Sequence, residues 1–497
     1  MIIADKNFIL TCYRYLTEMD DLKKEKLKEH IAQGIFKDIR QKFSLTTPIY
    51  IFCGNSFKGS LGLVLTKMMS KSYANIHAVL FANEDQYQSD IIQITLLKAQ
   101  NLLYSYEEYA QQDLACNSLF IDAIEDSINA IPNEYQKRIK RINQKQAFIY
   151  SIDMPSGVGI EEPISPQTIK ADFTHCLFFP KLAFFFSENH FCCGQWEIFS
   201  HNMAIPKELE EQLKPIKYYT TTHEDIARLQ VSPNKFINKY SLGNGLLIAG
   251  SYGMGGAAVL AAKAAIRAGI GVLTLHIPKT LYNIIQISVP EARCRVDINS
   301  TICSSLNTHN LTKYTAIALG PGLGVHEWTI QAITCLLQNY NGKPIVFDAD
   351  AINILAMHKE LLKDFAGKAI FTPHEGEFIR LIGTYKNTYQ RLQLQISFSQ
   401  QYNAIVVCKG AFTSISLPDG RCYFNTNGNI GMATGGSGDV LTGIILALLC
   451  QGFSPEEAAI CGVYMHAQAA DIAVESQTKA SLIASDIIEN LKFVQRY

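Results

Sequence analysis

The run Asn427-Gly-Asn-Ile-Gly-Met-Ala-Thr-Gly-Gly-Ser-Gly-Asp-Val-Leu-Thr-Gly443 carries a glycine-rich loop straight into an apolar helix. Such a loop presents several backbone N–H groups, reinforced by the helix dipole, to phosphate oxygens. Asp439 falls in the first turn of that helix. A carboxylate beside a phosphate site is electrostatically awkward unless it deprotonates an attacking hydroxyl or helps to hold a cation. The pattern therefore reads as phosphoryl chemistry, with Asp439 as its base or as a holder of its cation. Taken alone, the same residues would also make a tight turn and a helix cap.

Other loops point the same way. Gly250-Ser251 with Gly253, Gly255, Gly256 and Ala257 follows one apolar run, and Gly320-Pro-Gly-Leu-Gly324 another. Asp348 to Asn353 and Thr372-Pro-His-Glu-Gly-Glu-Phe378 follow two more, and Lys409-Gly-Ala-Phe-Thr413 ends a fifth. A domain that only had to fold would not need small or ionisable residues at so many successive strand ends. On its own, His374 is a structural histidine and Lys409 a surface lysine. Their place in the series assigns both to a site.

A second, smaller set lies earlier. Ser151-Ile-Asp-Met-Pro-Ser-Gly157 follows an apolar run, and Asp122 ends another. An aspartate at a strand end is by itself an ordinary cap.

The elements that must hold these residues are strands and helices in alternation. Pro48 to Gly54, Ser118 to Ala123 and Ala147 to Asp153 are short β-rich runs between helical stretches, which predicts a parallel sheet of βαβ units. Between 207 and 237 the chain turns polar and charged, as expected of a connection between domains. A second α/β series follows, with strands over Gly245 to Ala249, Val272 to His276, Tyr314 to Leu319, Pro344 to Asp348, Ala369 to Phe371 and Ala404 to Cys408. An alanine-rich helix is expected over Gly256 to Gly269, and the longest clear helix over Gly438 to Leu449. Ligands of open parallel sheets bind beyond the carboxyl ends of the strands, where these residues cluster.

At 497 residues the chain exceeds one hydrophobic core, and two domains are expected, 1–210 and 220–497. Lys plus Arg (44) nearly balances Asp plus Glu (45), so no bulk charge points to nucleic acid or an anionic membrane. The 13 cysteines lack metal spacing and suit a reducing compartment. Asp5, Tyr13, Arg14 and Tyr15 interrupt any signal-peptide core, and no apolar run reaches the ~18 residues of a membrane span. The expectation is a cytoplasmic protein with a small-molecule partner.

In their order, the motifs over residues 235 to 497 resemble the NAD(P)H-hydrate dehydratase domain of the ribokinase-like superfamily, Gly431 to Gly443 being the most specific piece. The resemblance implies repair of hydrated NADH or NADPH (NADHX, NADPHX) with ADP or ATP, ADP being favoured, and Mg2+. The nucleotide would phosphorylate the hydrate's hydroxyl, and loss of phosphate would restore the nicotinamide. By position, Ala257, Gly322, Gly324 and His374 would contact the hydrate, and Lys409, Gly410, Ala411, Phe412, Thr413 and Gly438 the nucleotide, with Asp439 as base. Family resemblance further suggests a homo-oligomer.

Residues 46 to 206 resemble the accompanying NAD(P)H-hydrate epimerase, a Rossmann-like α/β/α domain, through Ser151 to Gly157, Phe179-Pro-Lys181, Met203 to Pro206 and Asp122. That family implies a site at Asp122, Asp153 and Ser156, with potassium on Asp122 and Ser156. Its dinucleotide loop of asparagines and glycines is here Phe57, Lys58, Gly59, Ser60, Leu61 and Gly62, and a second loop is replaced by Glu125, Asp126 and Ser127. Phenylalanine and leucine cannot supply the lost polar contacts. Lys58 stands where the family places a potassium-binding asparagine, which would put its ammonium in the cation's place. Three readings follow: an inactive epimerase, an epimerase with altered metal dependence, or a domain turned to another ligand. For the chain as a whole the rival activities are a ribokinase-like small-molecule kinase of the hydroxymethylpyrimidine or sugar type, and a nucleotide-sensing scaffold.

Overall fold

The computed structural model describes residues 1–497 apart from 113–116, 127–130, 162–166, 200–208, 210, 212, 214, 230–234, 307, 341 and 495–497. Ser127, Met203 to Pro206 and parts of the connection between 207 and 237 thus lie outside the described residues. The chain divides into two compact units, Ile2–Ile216 with Asn387–Tyr389, and Lys217–Lys386 with Gln390–Tyr497 and Met1.

The first unit is built on seven strands: β1 (Ile49–Cys53), β2 (Ile76–Leu80), β3 (Leu103–Ser105), β4 (Ser118–Ala123), β5 (Ala147–Ile152), β6 (Phe173–Cys176) and β7 (Gln195–Ile198). Their order is β3-β2-β1-β4-β5-β6-β7, every pairing parallel. Every residue of β1 and β4 is buried, which is why both read as unbroken apolar runs rather than alternating ones. The order reverses between β1 and β4, and ligands of open parallel sheets bind beyond the carboxyl ends of the strands at such a point. Helix α1 (Lys6–Glu18) starts at the Asp5 cap and α2 (Asp21–Lys42) at the Asp20 cap. Helix α3 (Phe57–Met69) leaves the end of β1 under a Ser56 cap.

In the second unit the strands are β8 (Tyr218–Thr220), β9 (Asn244–Ile248), β10 (Val272–Ile277), β11 (Arg293–Val296), β12 (Ala316–Leu319), β13 (Ile345–Phe347), β14 (Ala369–Phe371), β15 (Ile405–Cys408), β16 (Ser414–Ser416) and β17 (Cys422–Phe424). They run in the order β8-β17-β16-β15-β14-β13-β12-β9-β10-β11. The sheet is parallel except where β16 pairs antiparallel with β15 and β17. Alternate strand residues enter two different cores. Leu247, Ala318, Val346 and Ile370 join α4 (Gly255–Arg267), α7 (Ser437–Cys450) and α8 (Pro455–Ala473); Ile248, Leu319, Phe347 and Phe371 join α5 (Glu327–Gln338) and α6 (Ala349–Met357). Helices thus cover both faces, the architecture expected of a ribokinase-like domain.

Two expectations need correction. The clearest helix by sequence, α7, has 14 residues, yet α2 has 22 and α8 has 19. Charged residues on the outer face of α2 hide its length, whereas α7 is buried almost all round and so reads as a solid apolar block. Part of the supposed connection, Tyr218–Thr220, is a strand paired parallel to β17, and its three tyrosine and threonine residues carry no apolar alternation to announce it.

Candidate active site

The second unit's strand order reverses between β9 and β12, and the loops after these strands face one another. Gly250 N–H donates to the Pro321 carbonyl at 2.8 Å, and the Ser251 hydroxyl to the Gly322 carbonyl at 2.8 Å. Gly320 has φ +131°, and a Cβ there would lie 1.7 Å from the Asp348 carbonyl oxygen, so only glycine lets β12 and β13 end this closely. Ala257 and Gly322 meet: a Cβ on Gly322 would sit 3.1 Å from that of Ala257. The Gly324 N–H donates to Asp350 at 2.8 Å.

Beside these loops lies a cluster of charge. Asp348, at the end of β13 and buried, accepts from the hydroxyls of Thr372 and Thr442 at 2.8 Å each and from Lys409 Nζ at 2.9 Å. Lys409 also lies 3.8 Å from Glu377, and its side chain stays 21% exposed. The two carboxylates hold the ammonium charged: Lys409 titrates above its ordinary range despite burial, chiefly through Asp348 and then Glu377. Glu377 is shifted upward, mainly by burial. Helix α7 begins at Gly436, in the left-handed region at φ +89°, where a Cβ would strike Leu260 at 2.4 Å. Gly438 has no side chain to separate the helix start from the ammonium: its Cβ position is 3.1 Å from Lys409 Nζ.

Asp439 follows in the first turn. Its carboxyl is pushed up to about 7, first by burial and then by the negative charge of Asp348, with Lys409 pulling the other way. A carboxyl poised there takes a proton near neutral pH. His374 caps the short helix Glu375–Leu381, between α6 and α7. Its Nδ1 accepts from Gly376 N–H at 3.0 Å, its Nε2 faces Glu377 at 3.2 Å, and the ring is 54% exposed. Gly410 to Thr413 form the turn of the β15–β16 hairpin, in which Thr413 Oγ1 donates to the Gly410 carbonyl at 3.1 Å; Gly410 and Ala411 are exposed, Phe412 half-buried.

The structure thus brings Ala257, Gly322, Gly324, Lys409, Gly438 and Asp439 to one end of one sheet. Asp348, Asp350, Glu377 and Thr442 belong to the same network. The first three lie in the strand-end loops that the sequence pointed to, without a role for each; Thr442 carried no signal, being one polar residue in an apolar helix.

In the first unit, Lys58 Nζ lies 3.0 Å from Asp122, 2.7 Å from the Met154 carbonyl, 3.2 Å from Ser156 Oγ and 3.5 Å from Ser151 Oγ. Asp122 also accepts from the hydroxyls of Ser151 (2.8 Å) and Ser156 (2.6 Å) and from Ser156 N–H (2.8 Å). Lys58 is 2% exposed. Asp153 sits apart from this knot, at φ +66°, paired with the buried Lys181 and accepting from Leu177 N–H at 2.9 Å. Asp126 accepts the backbone N–H of Lys58 at 3.2 Å and the side-chain hydrogen bond of Tyr13 from α1; burial raises its carboxyl to about 6. A cavity beside Lys58, lined by Phe8, Tyr13, Phe57, Asp126 and Asp153 among others, measures ≈ 40 Å³.

Residues 245–492 match the NAD(P)H-hydrate dehydratase family model, and residues 24–183 that of the YjeF-related protein N-terminus. The bifunctional NAD(P)H-hydrate repair enzyme Nnr of Moorella thermoacetica is 30% identical over 495 residues, covering 95% of this chain and 92% of its own. The chain belongs to the bifunctional NAD(P)H-hydrate repair enzyme family. The ADP-dependent (S)-NAD(P)H-hydrate dehydratase of Bacillus subtilis, a further family relative, is 34% identical over 256 residues, 51% of this chain and 89% of its own. The crystal structure of a ribokinase-like superfamily protein from Enterococcus faecalis matches with TM-score 0.51 at 25% identity, over 56% of this chain and 94% of that one. Among the described residues no helix is long and apolar enough to cross a membrane.

Proposed function

We propose that the second unit restores hydrated NADH or NADPH by nucleotide-dependent dehydration, with ADP as the phosphoryl donor. The observation that carries this reading is Asp439, a carboxyl titrating near 7 in the first turn of a glycine-led helix, with the Lys409 ammonium beside it. The Gly435 to Gly438 turn and the start of α7 receive the phosphates. Lys409, held by Asp348, keeps donors for them, and the Gly410 to Thr413 turn borders the nucleotide.

Ala257, Gly322, Gly324 and the exposed ring of His374 border the hydrate. Asp439 takes the proton of the hydrate's hydroxyl, whose oxygen attacks the terminal phosphorus while the bond to the leaving nucleotide breaks. Water is a poor leaving group and phosphate a good one: phosphate departs with the C–O electron pair, a proton leaves the neighbouring ring carbon, and its C–H electron pair forms the ring double bond, with no strong protein acid needed. Positioning and electrostatics suffice.

Among the described residues no ready-made group of three His, Cys, Asp or Glu side chains awaits a metal. Mg2+ would be held chiefly by the phosphates, with Asp439 near it, and would neutralise charge on the transferred group.

The relatives' bifunctional name implies a second activity, epimerisation, for the first unit. Two observations favour its loss here: the ≈ 40 Å³ cavity is too small for a nicotinamide ring, and Asp126 already caps the helix start where a pyrophosphate would lie. Cytoplasmic location and self-association complete the reading; the exposed Ile287 and Ile298 of the second unit offer apolar surface for assembly.

Supplying NADHX with ADP and Mg2+ tests the main reading. One phosphate released per NADH regained supports it. A stable phosphorylated product would replace it with a small-molecule kinase.

A further inference from the structure

In the first unit five oxygen atoms, from Asp122, Ser151, Met154 and Ser156, gather at the carboxyl ends of β4 and β5. One carboxylate, two hydroxyls and a backbone carbonyl converging in a buried place are the donor set of a hard monovalent cation: all oxygen, with a single negative charge. The space at their centre is taken by the Lys58 ammonium, which enters from the first turn of α3. The ammonium matches potassium in charge and closely in size, and its three N–H groups point to Asp122, Met154 and Ser156 at 3.0, 2.7 and 3.2 Å. Both serine hydroxyls donate to Asp122, Ser156 also accepts from the lysine, and Ser151 lies 3.5 Å from it, so every N–H and O–H of the knot has an acceptor. The potassium implied by the family therefore does not fit: it would leave two positive charges in contact, both buried.

We propose that Lys58 is a tethered replacement for a monovalent cation, so that the first unit holds its Asp122 site together without free potassium. The tether sets this apart from an ordinary buried ion pair. A bound ion leaves when its concentration falls, whereas the ammonium is always present, and the Ser151–Ser156 segment keeps its place at any salt composition.

The test follows the first unit alone within the full chain. The protein has two tryptophans; Trp196 stacks on Phe184 in the first unit, and Trp328 is half exposed in the second. In a Trp328→Phe background, Trp196 fluorescence reports unfolding of the first unit, measured in KCl, LiCl or choline chloride at equal ionic strength. The expected midpoint is the same in all three salts for the unaltered site. In Lys58→Asn it falls by several degrees in choline or lithium and recovers in potassium. A potassium-specific rise with Lys58 intact, or a Lys58→Asn protein that potassium does not rescue, overturns the proposal. Should Lys58→Asn fail to fold, crystals of the unaltered protein soaked in RbCl decide: no anomalous peak among Asp122, Met154 and Ser156 supports it, and a peak there overturns it.

Discussion

Both units place a lysine against a buried aspartate at the carboxyl end of a parallel strand, and the two pairs do opposite things. Lys58 spends its donors on three protein groups and is 2% exposed. Lys409 makes one hydrogen bond, to Asp348, and keeps 21% of its side chain open. Next to Lys58 the helix start is capped by Asp126; next to Lys409 it is bare glycine. The difference teaches that a lysine–aspartate pair at a strand end is not itself a site. What makes one is unspent donors beside an uncapped helix.

Removing the base should show the largest effect. Asp439→Asn is expected to lower kcat about 10²- to 10⁴-fold with little change in nucleotide KM. With Asp439 present, kcat/KM should rise with pH and level off above about 7, because the carboxyl must be ionised to accept a proton. In a pH–rate series Asp348→Asn moves that limb to lower pH by removing a negative neighbour, and Lys409→Met moves it to higher pH.

Exchanging the lysines sharpens the contrast in stability. Lys58→Met strands a buried Asp122 and should cost about 3–5 kcal/mol in denaturant unfolding. Lys409→Met should cost less, since shortening a side chain that is 21% exposed admits water towards Asp348, and should instead weaken nucleotide binding by about 1.5–3 kcal/mol, read by calorimetry.

A smaller effect belongs to Asp126. Its folded pKa, about 6, lies above the ordinary 3.8, so folding takes up a proton between those values. Its contribution to stability is full below about pH 4 and is lost as pH rises through about 6. Unfolding of the first unit followed between pH 4.5 and 7.5 should show this slope, and Asp126→Asn should flatten it.

Much of this was legible in the sequence. Strands buried on both faces read as apolar runs, and the glycine run before α7 announced the helix start and Asp439. Lys58 stood out because a charged residue replaced an expected polar one. Short elements were not legible: Arg293–Val296 alternates charge with cysteine and valine, and the hairpin of Ser414–Ser416 and Cys422–Phe424 has three residues a side, too few for a period to show. Asp348 and Asp126 were visible only as loop residues, because their roles depend on partners 61 and 68 positions away.

The central claim, an open site in the second unit and a sealed one in the first, is tested most directly by giving the full chain both NADHX epimers with ADP and Mg2+ and following NADH absorbance. The predicted trace rises rapidly, then stops at one epimer's share, continuing only at the rate of spontaneous epimerisation. Rapid recovery of all the NADHX would contradict the sealed first unit, and no recovery with ADP or ATP from folded protein would contradict the dehydratase itself.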